Sequence, residues 1–124
     1  MLDGPFDSWK SDVPSSPRPL LVLTTCASAE DADRLAASLV EQRLAACVNA
    51  LGQVQSTYRW QGRVEREQES LLVIKTTEAR LAEIEKVIRE RSSYEVPEVL
   101  AIPVHGGSAA YLGWLADSVA ERKE

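Results

Sequence analysis

Residues 49–76 read NALGQVQSTYRWQGRVEREQESLLVIKT and predict two strands joined by a tight turn. Gln61 and Gly62 form the connection, and a glycine in its second position can take the positive φ that a two-residue hairpin turn requires. Because side chains alternate along a strand, pairing counted outward from this turn places eight residues on one face of the ribbon. They pair as Trp60 with Arg63, Tyr58 with Glu65, Ser56 with Glu67 and Val54 with Glu69.

The outer half of this hairpin has too few apolar side chains to form a core by itself. An isolated two-stranded ribbon is marginally stable in water. The second strand becomes fully apolar at Leu71-Leu72-Val73-Ile74, which is typical of a strand covered on both faces. We therefore expect the hairpin to be rooted in a compact domain and to project from it. We also expect another subunit to stabilise its outer half.

The segments on either side of the hairpin alternate between strands and helices. An apolar run after Pro19 predicts a buried strand, and residues 28–31 form a capping-box pattern with Ser28 as the helix N-cap. Gly52 lies where a bulge can bend the first arm of the hairpin. The predicted elements are, in chain order, a strand at 20–25, a helix from 28 to about 44, the hairpin, a helix capped by Thr77, a strand at 99–104 and a short helix capped near 106–108.

This order, β-α-β-β-α-β-α, predicts an α+β fold. Two βαβ units around a hairpin fit a ferredoxin-like βαββαβ split sheet with two helices on one face, followed by a short C-terminal helix. That last helix is too short to cover the opposite face of the sheet, which again predicts an oligomer. The helix after Thr77 carries a charged stripe that we interpret as a solvated face, made of Glu78, Arg80, Glu83, Glu85, Lys86, Arg89 and Glu90.

Length and composition predict a single cytoplasmic domain. The 124 residues suffice for one domain at 19–120, with a flexible tail at 1–18 and a frayed end at 121–124. A net charge of −5 argues against nucleic acid and anionic membranes as partners. No apolar run approaches the ~20 residues of a membrane span, and the N-terminus lacks the pattern of a secretion signal. Two cysteines do not form a disulfide framework, so we expect reduced thiols.

The sequence contains no nucleophile elbow, P-loop, dinucleotide-binding loop or CxxC pair, so we predict no enzymatic activity. Glu65, Glu67 and Glu69 share one strand face, which fits a hard divalent ion, pairing with arginines of a neighbouring subunit, or simple solvation. Cys26, at the mouth of the first strand, is a candidate ligand for a soft metal such as Cu(I). Its candidate partner is Glu98 or His105, the only histidine of the chain.

Several aromatic residues carry a polar N–H or O–H group that needs a partner when buried, namely Tyr58, Trp60, Tyr111 and Trp114. Such residues are enriched in the buried parts of interfaces. We therefore interpret them as interface residues in preference to the walls of a ligand pocket. In a further hypothesis, Phe6 and Trp9 of the tail dock a partner protein, and the chain is a scaffold.

Five short motifs follow one another along the chain. They are Arg43-Leu44-Ala45-Ala46-Cys47-Val48-Asn49, Tyr58-Arg59-Trp60-Gln61-Gly62, the run from Glu65 through Glu69 into Lys75-Thr76, Tyr94-Glu95-Val96-Pro97-Glu98, and Tyr111-Leu112-Gly113-Trp114. With them, the chain resembles CutA-type divalent-cation tolerance proteins over about residues 20–119. The resemblance implies a ferredoxin-like protomer and a homotrimer whose long hairpins pair across subunits. It also implies a role in tolerance to copper and other divalent ions, without an established enzymatic reaction.

The same resemblance implies a site in the clefts between subunits, because the trimer is similar to that of PII-type signalling proteins. The residues that carry over to this site are Tyr58, Trp60, Glu65, Lys75, Tyr94, Glu98, Tyr111 and Trp114. The implied occupant is a metal ion, with copper or another divalent cation as the candidate, or a small ligand. The alternative is a PII-like signalling or scaffold protein that binds a small effector or a partner protein.

Two positions depart from the pattern of the family. Ser92-Ser93 precede Tyr94, where many members have His-Pro. Some members carry a metal-ligating cysteine in the first strand, at a position near Thr24, and Cys26 lies two residues further on. Residues two apart share a strand face, so Cys26 remains a candidate ligand in that place.

Overall fold

The computed structural model describes residues 17–121. Most of the predicted tail, with Phe6 and Trp9, and most of the predicted frayed end lie outside the described residues. The elements are β1 (Pro19–Cys26), α1 (Ala29–Glu41), β2 (Cys47–Trp60), β3 (Arg63–Thr77), a 3₁₀ turn (Glu78–Arg80), α2 (Leu81–Arg91), β4 (Leu100–Pro103) and α3 (Ala109–Val119).

The four strands form one sheet in the order β2-β3-β1-β4. All neighbouring strands are antiparallel, with β1 between β3 and the short edge strand β4. This arrangement confirms the predicted α+β fold with a split βαββαβ sheet.

The hairpin has the predicted register. Trp60 pairs with Arg63, and the pairing continues inward to Val54 opposite Glu69. Gln61 and Gly62 have φ values of 51° and 79°, the positive values that a two-residue turn of this kind needs. The register shifts by one residue between Leu51 and Gln53, so the bulge predicted at Gly52 is confirmed.

One face of the sheet carries the core. Val22, Leu72 and Ile74 are fully buried there. They belong to a cluster whose helical members come from one stripe on α1 and one on α2, namely Ala32, Leu35, Leu39, Ile84 and Ile88. Both helices therefore cover the same face, as the sequence pattern predicted.

The opposite face of the sheet is also apolar, and much of it is open. Cross-strand partners share a face, and Leu23 pairs with both Val73 and Leu100. Leu100 is 56% exposed, and its neighbour on that face, Ile102, is 43% exposed. We call the residues of this surface, from Leu51 on β2 to Leu100 and Ile102 on β4, the open apolar face.

The helix termini differ in part from the prediction. The Ser28 side chain accepts a hydrogen bond from the backbone N–H of Asp31 at 3.1 Å, which confirms it as the N-cap of α1. Thr77 makes no side-chain cap bond, so the prediction that it caps α2 is wrong. A 3₁₀ turn follows Thr77 instead, and the α-helix begins four residues later at Leu81.

The prediction that the charged stripe after Thr77 is fully solvated is wrong for Arg80. Arg80 is only 9% exposed, and its Nε donates to the backbone oxygen of Val119 at 2.8 Å. Its Nη1 lies 3.0 Å from Oε1 of Glu83. Arg43 likewise donates to the oxygen of Asp117 at 3.2 Å. Two arginines therefore bind carbonyls in the last turn of α3, where a cation is favoured.

We predict that Arg80→Met destabilises the protein by about 1.5–3 kcal/mol, because the Val119 oxygen and the Glu83 carboxylate lose a charged donor. The control is Arg34→Met, since Arg34 pairs with Asp31 on the exposed surface of α1. It should cost less than about 1 kcal/mol. Urea denaturation at one fixed protein concentration measures both, and equal losses would contradict the anchoring role of Arg80.

Candidate functional site

A cleft of about 670 Å³ lies between the outer hairpin and the segment 93–98 that leads from α2 toward β4. Its carboxylates are Glu65, Glu67, Glu69, Glu95 and Glu98. Its aromatic rings are Tyr58, Trp60 and Tyr94. None of the described residues that line it is a lysine or an arginine. We call this surface the acidic cleft.

The hairpin register builds one wall of the acidic cleft. Tyr58 pairs with Glu65 and Val54 with Glu69, so the rings of the first arm and the carboxylates of the second share a face. The segment 93–98 builds the other wall. It is fastened to the hairpin by Tyr94, whose hydroxyl donates to Oε2 of Glu69 at 2.6 Å. Ser92 holds the start of this segment by accepting from the backbone N–H of Tyr94 at 3.0 Å.

Glu69 and Glu98 have opposite electrostatic environments. Burial alone raises the pKa of Glu69, but hydrogen bonds from Ser56, Tyr94 and Thr25 outweigh it and hold the pKa below its ordinary value. Glu69 is therefore ionised although it is only 8% exposed. Burial and the nearby charge of Glu69 raise the pKa of Glu98.

The two tyrosines of the acidic cleft are held in their neutral form. Burial and the hydrogen bond to Glu69 raise the pKa of Tyr94. A hydrogen bond to Glu67, with a smaller contribution from burial, raises the pKa of Tyr58. Both hydroxyls therefore serve as hydrogen-bond donors to carboxylates and not as bases.

The structure brings together only part of the predicted site. Tyr58, Trp60, Glu65, Tyr94 and Glu98 line the acidic cleft. The other three residues form a separate cluster, in which Nζ of Lys75 lies 5.7 Å from the ring centroid of Tyr111. The rings of Tyr111 and Trp114 are 5.3 Å apart.

Lys75 does not face Glu65 within one chain. The two residues are ten positions apart on β3, a distance of roughly 33 Å along an extended strand. The ion pairs found within residues 17–121 do not include Lys75. A contact between these two residues therefore requires a second copy of the chain.

The two candidate metal ligands lie at opposite ends of β1. Cys26 ends the strand, whereas His105 follows Val104, whose N–H bonds to Pro19 at the other end. Eight residues of extended strand separate the two ends by roughly 23 Å, so one chain does not join these ligands around an ion. Burial, with the charges of Asp31 and Glu69, raises the pKa of the Cys26 thiol. Across residues 17–121, no three His, Cys, Asp or Glu side chains are grouped closely enough to hold a metal ion.

Sequence reasoning missed several members of the acidic cleft. Thr25 and Ser56 bond to Glu69, and Glu95 contributes a fifth carboxylate. The predicted pairing of Val54 with Glu69 already placed Glu69 on the same face of the hairpin as Tyr58 and Trp60. No local signal indicated that Tyr94 would reach it, because the two residues are 25 positions apart.

Comparison with known proteins identifies the family. The family model described as CutA1 divalent ion tolerance protein matches residues 20–118. The chain belongs to the CutA1 divalent ion tolerance family.

Relatives and solved structures agree with this assignment. The divalent-cation tolerance protein CutA of Thermus thermophilus is 43% identical over 98 residues, which cover 79% of this chain and 95% of the relative. The chloroplastic protein CutA 1 of Oryza sativa is 39% identical over 116 residues, which cover 94% of this chain. The chain spans 63% of that relative and 54% of the chloroplastic CutA of Arabidopsis thaliana. The crystal structure of CutA1 from Oryza sativa superposes with a TM-score of 0.82 at 39% identity, covering 85% of this chain and 96% of that one.

We predict opposite pH dependence for two glutamine variants of this protein. The lowered pKa of Glu69 stabilises the fold above the ordinary value of 4.5, and this stabilisation is lost as pH falls through the folded-state pKa. Glu69→Gln should therefore be less stable than wild type at neutral pH and converge with it in acid.

The raised pKa of Glu98 has the opposite sign. Ionisation of Glu98 costs stability as pH rises from 4.5 through its raised folded-state pKa. Glu98→Gln should therefore match wild type in acid and exceed it at neutral pH. Urea denaturation from acid to neutral pH measures the free energy of unfolding of both variants. If both variants were more stable than wild type at neutral pH, or both less stable, the opposite pKa shifts of Glu69 and Glu98 would be contradicted.

Proposed function

We propose that this chain is a non-enzymatic protein of divalent-cation tolerance, and that it acts as a homotrimer whose clefts bind a metal ion or a small cationic ligand. The observation that carries the proposal is the acidic cleft, in which carboxylates and aromatic rings converge without a basic side chain among the described lining residues. Carboxylate oxygens are the ligands that hard divalent cations prefer. Aromatic faces attract cations as well.

The charge of the acidic cleft supports a cationic occupant. Glu69 is ionised and buried, and Glu65, Glu67 and Glu98 lie along the same surface. A phosphorylated or carboxylated effector would meet like charge there, which costs free energy. The acidic cleft therefore supports the alternative, a PII-like signalling protein, only if the effector that it binds is cationic.

The open apolar face supports assembly. Leu51, Leu100 and Ile102 are between 43% and 56% exposed on the side of the sheet away from α1 and α2. Exposed apolar surface of this kind is typical of an interface between protein chains. Neighbouring copies would cover it, and they would bring the cluster of Lys75, Tyr111 and Trp114 toward the acidic cleft of another chain. The eight predicted residues would then form one site between subunits.

We also propose that the protein catalyses no reaction and lies in the cytoplasm. The Thermus thermophilus relative is named as a divalent-cation tolerance protein, and that name states no reaction. We place the protein in the cytoplasm, and the free thiols of Cys26 and Cys47 support a reducing compartment. Within residues 17–121, no helix is long and apolar enough to cross a membrane.

We predict that wild type has a mass in solution of about three times the 13.7 kDa of one chain. Ile102→Glu should lower this mass, because a charge on the open apolar face cannot be buried between subunits without a partner. Val40→Glu is the matched control, since Val40 is 44% exposed but lies on α1. Light scattering measures all three proteins. A folded wild-type monomer at micromolar concentration would rule out the trimer.

We predict that deleting the gene for this protein makes its cells more sensitive to added Cu²⁺. Wild type and Glu85→Gln should restore growth, because Glu85 is exposed on α2 outside the acidic cleft. Glu69→Gln should not restore it, because the buried negative charge is lost. Growth is measured at equal expression of the three proteins. Equal rescue by Glu69→Gln would show that the acidic cleft has no part in tolerance.

A further inference from the structure

Thr24, near the end of β1, has a buried hydroxyl without a hydrogen-bond partner among residues 17–121. The residue is fully buried, and its Oγ1 bonds to no other group of the described chain. Thr76, a second fully buried threonine of the sheet, donates from Oγ1 to the Leu44 oxygen at 2.6 Å. An unpaired buried hydroxyl costs free energy, and most buried polar atoms bond to another group or to ordered water. We therefore expect the hydroxyl of Thr24 to bond to a molecule from outside the chain.

Thr24 lines a small cavity between the sheet and the two helices that cover it. The cavity has a volume of about 20 Å³, and its wall includes Leu35 of α1 and Ile88 of α2. A cavity needs roughly 10–15 Å³ to hold one water molecule, so this one accommodates a water and no organic ligand. Asp31 also lines it, but its carboxylate pairs with Arg34 at 2.6 Å. No three His, Cys, Asp or Glu side chains of the described chain are grouped closely enough to hold a metal ion there.

Three polar side chains along the cavity suit a water molecule. Cys26 follows Thr24 by two positions on β1, so the two side chains share a strand face, with Cα atoms roughly 6–7 Å apart. One water between two polar atoms spans up to about 6 Å, since each hydrogen bond is about 3 Å long. The third side chain is Ser92 at the end of α2, whose hydroxyl accepts from the Tyr94 N–H and also carries a proton to donate. Buried waters typically make about three hydrogen bonds, which matches these three groups.

We propose that the cavity binds one water molecule, which bonds to the hydroxyl of Thr24, the thiol of Cys26 and the hydroxyl of Ser92. This water joins β1 to the end of α2. Ser93 and Tyr94 line both this cavity and the acidic cleft, so the water supports the wall of the acidic cleft from behind. The water site is independent of the proposed function, because it needs neither a second copy of the chain nor an occupant of the acidic cleft.

A crystal structure of the full-length protein, at a resolution that shows ordered water, tests the proposal. Wild type and Thr24→Ser keep the hydroxyl and should show one water within about 3.2 Å of its oxygen. Thr24→Val replaces the hydroxyl by a methyl group of similar size and should lose this water. Thr76→Val is the matched control, since Thr76 is equally buried but bonds to the protein, and it should keep the water at Thr24. The wild-type crystal decides the question even if a variant fails to fold.

Urea denaturation at one fixed protein concentration measures the same interaction in solution. Thr24→Val should raise the unfolding equilibrium constant roughly twofold to tenfold, because the water loses one of its partners. Without a bound water, the same substitution removes an unpaired buried hydroxyl and should lower that constant. A wild-type crystal with no water at Thr24, or a Thr24→Val variant at least as stable as wild type, overturns the proposal. A water that persists in Thr24→Val overturns the assignment of Thr24 as its ligand.

Discussion

The hydrogen bond from the Tyr94 hydroxyl to the Glu69 carboxylate connects the segment after α2 to strand β3 of the hairpin. It fastens the segment between α2 and β4 to the base of the hairpin, and the acidic cleft exists because these two walls are held together. The bond also satisfies part of the hydrogen-bonding requirement that a buried carboxylate imposes. Burial alone would favour the protonated form of Glu69, so the donors around it determine its charge.

The geometry of the hairpin determines which side chains meet at this bond. The turn at Gln61 and Gly62 fixes the pairing of the outer arms. The bulge at Gly52 then changes the alternation by one residue, so that Leu51 and Val54 share a face although an odd number of positions separates them. The carboxylate face of the outer hairpin is thereby continuous with the open apolar face of the sheet. A neighbouring copy that covers the apolar part would also border the acidic cleft.

The features that sequence predicted depend on local signals. A pattern of a few neighbouring residues was enough to predict each of them: the turn glycine, the alternation of the two arms, the bulge at Gly52 and the Ser28 cap. The features that it did not predict depend on contacts between distant residues. Arg80 belongs to a charged stripe by sequence, and only the position of α3 shows that its guanidinium has a buried carbonyl to bind. The family resemblance supplied a set of site residues, yet a single chain divides that set between the acidic cleft and the Lys75 cluster.

The central feature of the acidic cleft is a Glu69 carboxylate that stays ionised in a buried position without a cation from its own described chain. Carbon-13 NMR titration of the side-chain carboxyl groups measures this directly, with Glu69 and Glu98 assigned from their glutamine variants. We predict that the pKa of Glu69 lies below the ordinary glutamate value of 4.5 and that the pKa of Glu98 lies above it. A Glu69 carboxyl that titrates above 4.5, or above Glu98, would contradict it.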